Sequence, residues 1–164
     1  MFEPIDAAHS VEDFDCGKPP LDTWLKQRAV SNHRKGFTSV IVARDQQRVI
    51  GYYGLAPTAV ASNLFPRSIR TGQPPDPLPC ILLGRLAVDI SAKGQGLGTA
   101  LLLHALRRSV MAAGLIGGRA ILVTAIDDDA ASYWKSRGFH LTQDDGLMLF
   151  MGMDEVQKTL EKIG

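Results

Sequence analysis

At 164 residues, 45% of them apolar and 21% charged, the chain is long enough for one domain with a core of its own and has the composition of an ordinary soluble globule. Its 18 basic and 17 acidic side chains leave a net charge of +1, which neither supports nor excludes a nucleic-acid partner, because the two signs can still be segregated into patches. Cys16 and Cys80 lack metal-type spacing, no basic start leads into an apolar run, and no segment approaches membrane-spanning length, so a cytoplasmic protein with reduced thiols, no metal and no membrane role is expected.

Phe14-Asp15-Cys16-Gly17 precedes Pro19 and Pro20, after which Leu21, Trp24, Leu25, Arg28 and Ala29 recur at helical spacing. Prolines are well placed in a first turn, so a helix is predicted here. Its exposed side and exit carry Lys26, Arg28, His33, Arg34 and Lys35 with only Asp22 nearby, a pattern that suits either a solvated helix face or a polyanion contact. Residues 39–43 and 49–55 are β-branched and aromatic runs around the polar Asp45-Gln46-Gln47-Arg48, which predicts an antiparallel hairpin. From 56 to 80 the character changes. Pro57, Pro66, Pro74, Pro75, Pro77 and Pro79, with Arg67 and Arg70 among them, predict a long loop whose beginning continues the strand, and long loops in compact domains tend to border a substrate site.

An apolar strand candidate at 82–88 then feeds Lys93-Gly94-Gln95-Gly96-Leu97-Gly98-Thr99. Three glycines at alternate positions let a backbone turn with its N–H groups converging on one small volume. A helix is predicted over 99–113, with Leu102, Leu103, Leu106, Val110 and Ala113 on one face and His104, Arg107 and Arg108 elsewhere. A helix N-terminus meeting a nest of amides is an anion site, suited to phosphate, although glycines at a strand-to-helix turn also serve simply to turn a corner. Two rivals fall away on context. A P-loop needs Gly-Lys-Ser/Thr at the helix start, and no lysine separates Gly98 from Thr99; a dinucleotide fingerprint needs G-x-G-x-x-G near the first strand, and this loop lies past the midpoint. A pyrophosphate cradle of another kind remains.

Residues 120–125 read as a buried strand, and Asp127, Asp128 and Asp129 supply an N-cap and dipole-complementing charge for a helix through Arg137. Capping is favoured over a metal site because neighbouring side chains diverge and no matching ligand set appears. Gly138-Phe139 ends that helix, strands follow around 140–141 and 147–150, and an amphipathic helix over 154–162 closes the sequence. No repeat or second domain is visible. Residues 1–164 are therefore expected to form a single domain of the α/β (α+β) class around one mostly antiparallel sheet.

The loop Lys93-Gly94-Gln95-Gly96-Leu97-Gly98 behind Leu86-Ala87-Val88-Asp89 resembles the acyl-CoA-binding motif of the GNAT acetyltransferase superfamily, Arg/Gln-x-x-Gly-x-Gly/Ala after a Leu-Ala-Val-Asp strand. Lys93 departs from the usual first residue, keeping charge while losing a planar fork. Ala131-Ser132-Tyr133-Trp134-Lys135-Ser136-Arg137-Gly138-Phe139 is similar to the superfamily's Ala-x-x-Phe-Tyr-x-x-x-Gly-Phe segment. The resemblance implies a GNAT-like mixed sheet flanked by helices, with acetyl-CoA as co-substrate. Leu86, Ala87 and Val88 would line the pantetheine arm and thioester, Lys93, Gly94, Gln95, Gly96, Leu97, Gly98 and Thr99 would hold the pyrophosphate, and Lys135 would add a cofactor contact. Trp134 occupies the family's tyrosine position, with Tyr133 where phenylalanine is usual. A tyrosine hydroxyl can give a proton to a leaving thiolate, an indole N–H can only hydrogen-bond, and adjacent helical residues point about 100° apart. Tyr133 and Trp134 are both candidates for the catalytic position, and for Tyr133 the pattern favours a core aromatic slightly over a catalytic role.

Phe14-Asp15-Cys16-Gly17, Gly51-Tyr52-Tyr53 and Leu83-Gly84-Arg85-Leu86-Ala87-Val88-Asp89 look like one branch of that superfamily, the tRNA-acetylating toxins of type II toxin–antitoxin systems. This resemblance covers nearly the whole chain. It implies acetylation of the amino group of aminoacyl-tRNA, inhibition of translation, a ribbon-helix-helix antitoxin and a homodimer. Arg34, Lys35 and Arg85 are then expected tRNA contacts, supported by Lys26, Arg28, Arg67 and Arg70. The alternatives are a small-molecule or protein amine as acceptor, and an acetyl-CoA-binding regulatory module that has lost catalysis.

Overall fold

Pro19 and Pro20 occupy the first turn of helix α1 (Pro19–Gln27), where a missing N–H leaves no helical bond unmade. The computed structural model describes residues 2–144 and 146–163. Besides α1 it contains β1 (Phe2–Pro4), α2 (Ala29–Arg34), β2 (Ser39–Asp45), β3 (Arg48–Val60), β4 (Leu78–Val88) and α3 (Leu97–Ile116). After these come β5 (Ala120–Thr124), α4 (Asp128–Ser136), β6 (His140–Leu141), β7 (Met148–Gly152) and α5 (Met153–Ile163). The strands line up as β1-β2-β3-β4-β5-β7-β6. β4 runs parallel to β5, while the β1–β2, β2–β3, β5–β7 and β6–β7 pairs are antiparallel, so the expected mixed, mostly antiparallel sheet is what forms.

The chain divides into two compact units, Met1–Ala56 with Arg85–Ala105, and Pro57–Gly84 with Leu106–Gly164. In the first, β2 and β3 make the predicted hairpin, with Asp45 opposite Arg48 across a two-residue turn. The sequence pattern gives no sign of β1; three residues are too few to show alternation, and it is held by pairing Phe2, Glu3 and Pro4 with Ala43, Val42 and Ile41. This unit buries Phe14, Leu25, Ala29, Val40, Val42, Val49 and Tyr52 in one cluster, with Leu21 and Trp24 of α1 packed against it. The Tyr52 hydroxyl donates to the Leu21 carbonyl at 2.7 Å, which satisfies its one polar atom inside that cluster. Gly51 is a matter of space. A Cβ there would stand 2.8 Å from Leu101 Cδ1, 3.2 Å from Leu97 Cδ2 and 3.3 Å from the Ala87 carbonyl, so only glycine lets β3 come this close to α3.

The second unit has its own cluster of Phe65, Leu78, Cys80, Ala120, Leu122 and Phe150, in which Phe65 meets Phe150 edge-on at 5.2 Å. The expected loop over 56–80 is shorter than predicted, since β3 runs through Pro57 to Val60 and β4 begins at Leu78. The remaining segment is tied down: Phe65 is fully buried, and the Arg119 guanidinium donates to the carbonyls of Ile69 and Thr71 and to the Thr71 hydroxyl.

Helix α3 starts two residues earlier than expected and runs three further. Its buried side is Leu101, Leu102, Ala105, Leu106 and Ser109, a rotation from the predicted stripe that leaves Leu103 and Val110 half-buried. With 20 residues and mean hydropathy 1.3, α3 is also long and apolar enough to cross a membrane, contrary to the expectation that no segment approaches that length. Its buried side packs as a core helix does, and Arg107 and Arg108 interrupt the remainder.

Candidate active site

β4 pairs with β5 through Ile81 and Leu82, and its register with that strand ends there. Among the described residues Arg85, Leu86, Ala87 and Val88 continue β4 beyond that register, and a strand segment without a paired neighbour on one side can offer its backbone polar groups to an extended, amide-bearing ligand. Asp89 ends the strand and fixes the turn into the glycine loop. Its carboxylate is 1% exposed and accepts the Asp15 N–H at 2.8 Å, the Ser91 N–H at 3.0 Å, the Ser91 hydroxyl and the Arg48 guanidinium at 3.0 Å. Burial alone would raise its pKa, but these donors outweigh it and hold the group below its ordinary value. Two further bonds join the same segments: Ile90 N–H donates to the Asp15 carbonyl at 2.8 Å, and the Lys93 ammonium donates to the Cys16 carbonyl at 2.6 Å. The Phe14-Asp15-Cys16-Gly17 stretch thus anchors the start of the glycine loop. Lys93 commits its side chain to that anchor, which the sequence did not suggest.

Gly94 and Gly96 have φ of +78° and +82°, a conformation that strains any residue with a Cβ, although a Cβ at either would meet nothing within 4 Å. Gly98 differs. It lies inside the first turn of α3, where a Cβ would touch Val88 Cγ2 at an ordinary 3.6 Å. Ala100 N–H closes the first helical bond, on the Gly96 carbonyl at 3.0 Å, so Leu97, Gly98 and Thr99 carry the amides that α3 itself leaves unbonded. Two left-handed glycines ahead of such a helix start make the concave, positively polarised backbone that a pyrophosphate fits.

In the second unit, Asp127 caps α4 by accepting the Ala130 N–H at 2.8 Å, with Asp128 and Asp129 in the first turn, as the capping expectation requires. Trp134 is buried, edge-on to Tyr133 and Phe139 at 5.2 Å each. Tyr133 is half-buried, with the Arg137 guanidinium 5.0 Å from its ring centre, and Lys135 is exposed. Tyr52 and Tyr53 have no exposed surface, and burial carries the Tyr52 hydroxyl well above its ordinary pKa. Of the three tyrosines, Tyr133 is the one that reaches solvent. Both cysteines are buried, and burial, aided at Cys16 by the neighbouring Asp22, pushes each thiol up to about 11. Neither is a nucleophile at neutral pH.

The predicted basic cluster is partly assembled. Lys26, Arg34 and Lys35 line a groove of about 390 Å³ along α1 and α2, with Gln27, Val30 and Ser31 and no acid. Arg28 is exposed outside that lining, and His33 has a structural role, its Nδ1 accepting the Val40 N–H at 3.0 Å. Arg67 and Arg70 lie exposed in the second unit. Arg85 has its guanidinium 4.1 Å from the centre of the Trp24 ring. Asp89 and Trp24 are the site residues that sequence reasoning passed over. Asp89 closes the Leu-Ala-Val-Asp motif and was legible there; nothing in the sequence connects Trp24 to Arg85.

A family model, the acetyltransferase (GNAT) domain, matches residues 36–141. A tRNA-acetylating toxin of Mycobacterium tuberculosis is 41% identical over 153 residues, which cover 93% of this chain and 92% of the relative. Among solved structures, AtaT complexed with acetyl-methionyl-tRNAfMet superposes with a TM-score of 0.87 at 28% identity, over 97% of this chain and 98% of that one. A tyrosine-to-phenylalanine mutant of the AtaT toxin, bound to the C-terminus of the antitoxin AtaR and acetyl-CoA, gives 0.82 at 28% identity, over 98% and 97%.

Proposed function

The chain belongs to the GNAT acetyltransferases, and we propose that it moves the acetyl group of acetyl-CoA to the amino group of aminoacyl-tRNA, as the toxin of a type II toxin–antitoxin pair that blocks translation. One observation carries the cofactor half: the β4 segment beyond its register with β5 leads directly into a left-handed glycine turn and a helix start with unbonded amides. On this reading Leu86, Ala87 and Val88 receive the pantetheine arm and polarise the thioester carbonyl, residues 93–99 hold the pyrophosphate through main-chain N–H groups, and Lys135 adds a charge. The attacking α-amino group, with a pKa near ~8, is partly neutral at physiological pH and needs only water or a carbonyl to take its proton. Transfer is direct, since two protonated, buried thiols offer no covalent route. We assign the thiolate's proton to Tyr133 and a packing role to Trp134. Arg34, Lys35 and Arg85 contact the tRNA.

The similarity to toxins solved with tRNA and with an antitoxin supports that acceptor and a protein antitoxin for this chain, which we take to be of ribbon-helix-helix type; the toxin itself is read as a cytoplasmic homodimer, with residues 1–164 taken as a single acetyltransferase domain. The test is to incubate the protein and acetyl-CoA with bulk charged tRNA and analyse the aminoacyl ends by mass spectrometry. Acetylated aminoacyl-adenosine is expected. Unmodified ends alongside turnover of a free amine would overturn the reading.

A further inference from the structure

Arg85 differs from the other basic candidates in what surrounds it. Burial lowers its readiness to hold charge, yet among the described residues its contacts are the face of Trp24 at 4.1 Å and the nearby Tyr52, with no acid and no hydrogen-bond acceptor. A half-buried guanidinium with five N–H donors and no acceptor is an incomplete arrangement, because such a group usually meets a carboxylate or a phosphate. Trp24 supplies the rigidity. Its ring lies nearly parallel to that of Tyr52, 9° apart with centroids at 6.0 Å, and Tyr52 is fixed through its hydroxyl to Leu21. The guanidinium therefore sits over an aromatic stack that the core cluster of this unit fixes in place.

Position in the sheet narrows the ligand. Arg85 sits two residues before Ala87 on the same face of β4, so its Cα is about 7 Å from that of Ala87, the middle of the strand segment proposed to hold the thioester. Trp24 belongs to α1, the helix whose Lys26 helps line the acid-free groove with Arg34 and Lys35. A planar anion receptor about one nucleotide from the point of transfer, backed by a helix that also helps line a polycation groove, fits the end of a nucleic acid strand better than a free carboxylate. We infer that Trp24 is a positioning residue that presents Arg85 to the last phosphodiester of the acceptor strand, while Lys26, Arg34 and Lys35 take phosphates further upstream. This rests on the proposed acceptor being aminoacyl-tRNA.

The experiment is a double-mutant cycle on the full chain, with binding to uncharged tRNA measured by titration. One tRNA keeps its 3′ end and the other lacks the terminal nucleotide with its 5′-phosphate. For the wild type, removing that nucleotide weakens binding by about 10- to 100-fold, the size of a charge-assisted hydrogen bond. In Arg85→Gln and in Trp24→Leu the two tRNAs bind nearly alike, whereas Trp24→Phe, which keeps an aromatic face, restores most of the difference. Arg34→Ala and Lys35→Ala weaken both tRNAs together, and an acetyl-CoA titration reports that each variant is folded. An equal loss for both tRNAs in Arg85→Gln, or an undiminished difference in Trp24→Leu, overturns the inference. Acetyl transfer measured on the same protein separates the two claims. The coupling without acetylated ends leaves the anion site standing and removes the reaction; acetylated ends without the coupling do the reverse.

Discussion

Tyr133 is half-buried while Trp134, one residue on, is enclosed between Tyr133 and Phe139. Helix geometry forces the separation, since a step of about 100° cannot turn two consecutive side chains to the same surroundings. Only the phenol can hand over a proton, and Tyr133 is the less buried residue of the two. Tyr133→Phe is expected to lower kcat by about 10²-fold or more, the usual contribution of a positioned general acid, at unchanged acetyl-CoA affinity. Trp134→Phe removes core volume and costs about 1–2 kcal/mol, seen as a melting temperature lower by a few degrees. Single-turnover kinetics and a thermal melt on each variant check both statements. If the kinetic loss falls on Trp134→Phe instead, the assignment is reversed.

At the scale of elements, the glycine loop is held by contacts that come from well before it. The Asp89 carboxylate gathers Asp15, Arg48 and Ser91, and Lys93 reaches Cys16, so the end of β4, the turn into the loop and the segment leading to α1 are fixed as one piece. Because Asp89 titrates below its ordinary value in the folded protein, its stabilisation is complete above about pH 4 and is lost as the pH falls through the lower folded value. Asp89→Asn should cost about 2–3 kcal/mol at pH 7, given the charged hydrogen bonds removed from a buried site, and should weaken acetyl-CoA binding by loosening the loop. Melting curves from pH 7 down to pH 3 decide it. The gap between variant and wild type closes in acid, and a gap that stays constant would mean that shape rather than charge holds the loop.

For the whole molecule, a net charge of +1 predicts no general attraction to nucleic acid, so any affinity must come from charges collected locally. The groove of Lys26, Arg34 and Lys35 is such a collection. Plotting the logarithm of tRNA affinity against that of salt concentration should give a negative slope, and replacing both Arg34 and Lys35 by alanine should make it shallower by about 1.4–1.8 if each neutralises one phosphate. An unchanged slope would show that the groove faces only water.

Much of this was legible in the sequence because the governing physics is local. The Asp45–Arg48 hairpin turn, the prolines opening α1, the aspartate cap of α4 and the glycines ahead of α3 each depend on residues within a few positions, and each formed where it was expected. The glycine pattern, with the strand before it, also carried the acyltransferase resemblance. Other features depend on which distant segments meet. Asp15 and Asp89 are 74 positions apart, Cys16 and Lys93 are 77 apart, and no periodicity links them. Packing decided that Leu101 rather than Leu103 lies in the core, that Gly98 sits inside a helix while Gly94 and Gly96 supply the turn, and that Arg85 rests on Trp24 with no acid beside it among the described residues. Residue types and spacings determined which chemistry this chain carries, since backbone conformation and capping are set by neighbours along the chain. Which side chains are free to perform it was decided by the tertiary structure, because burial and hydrogen-bond partners exist only once remote segments are brought together.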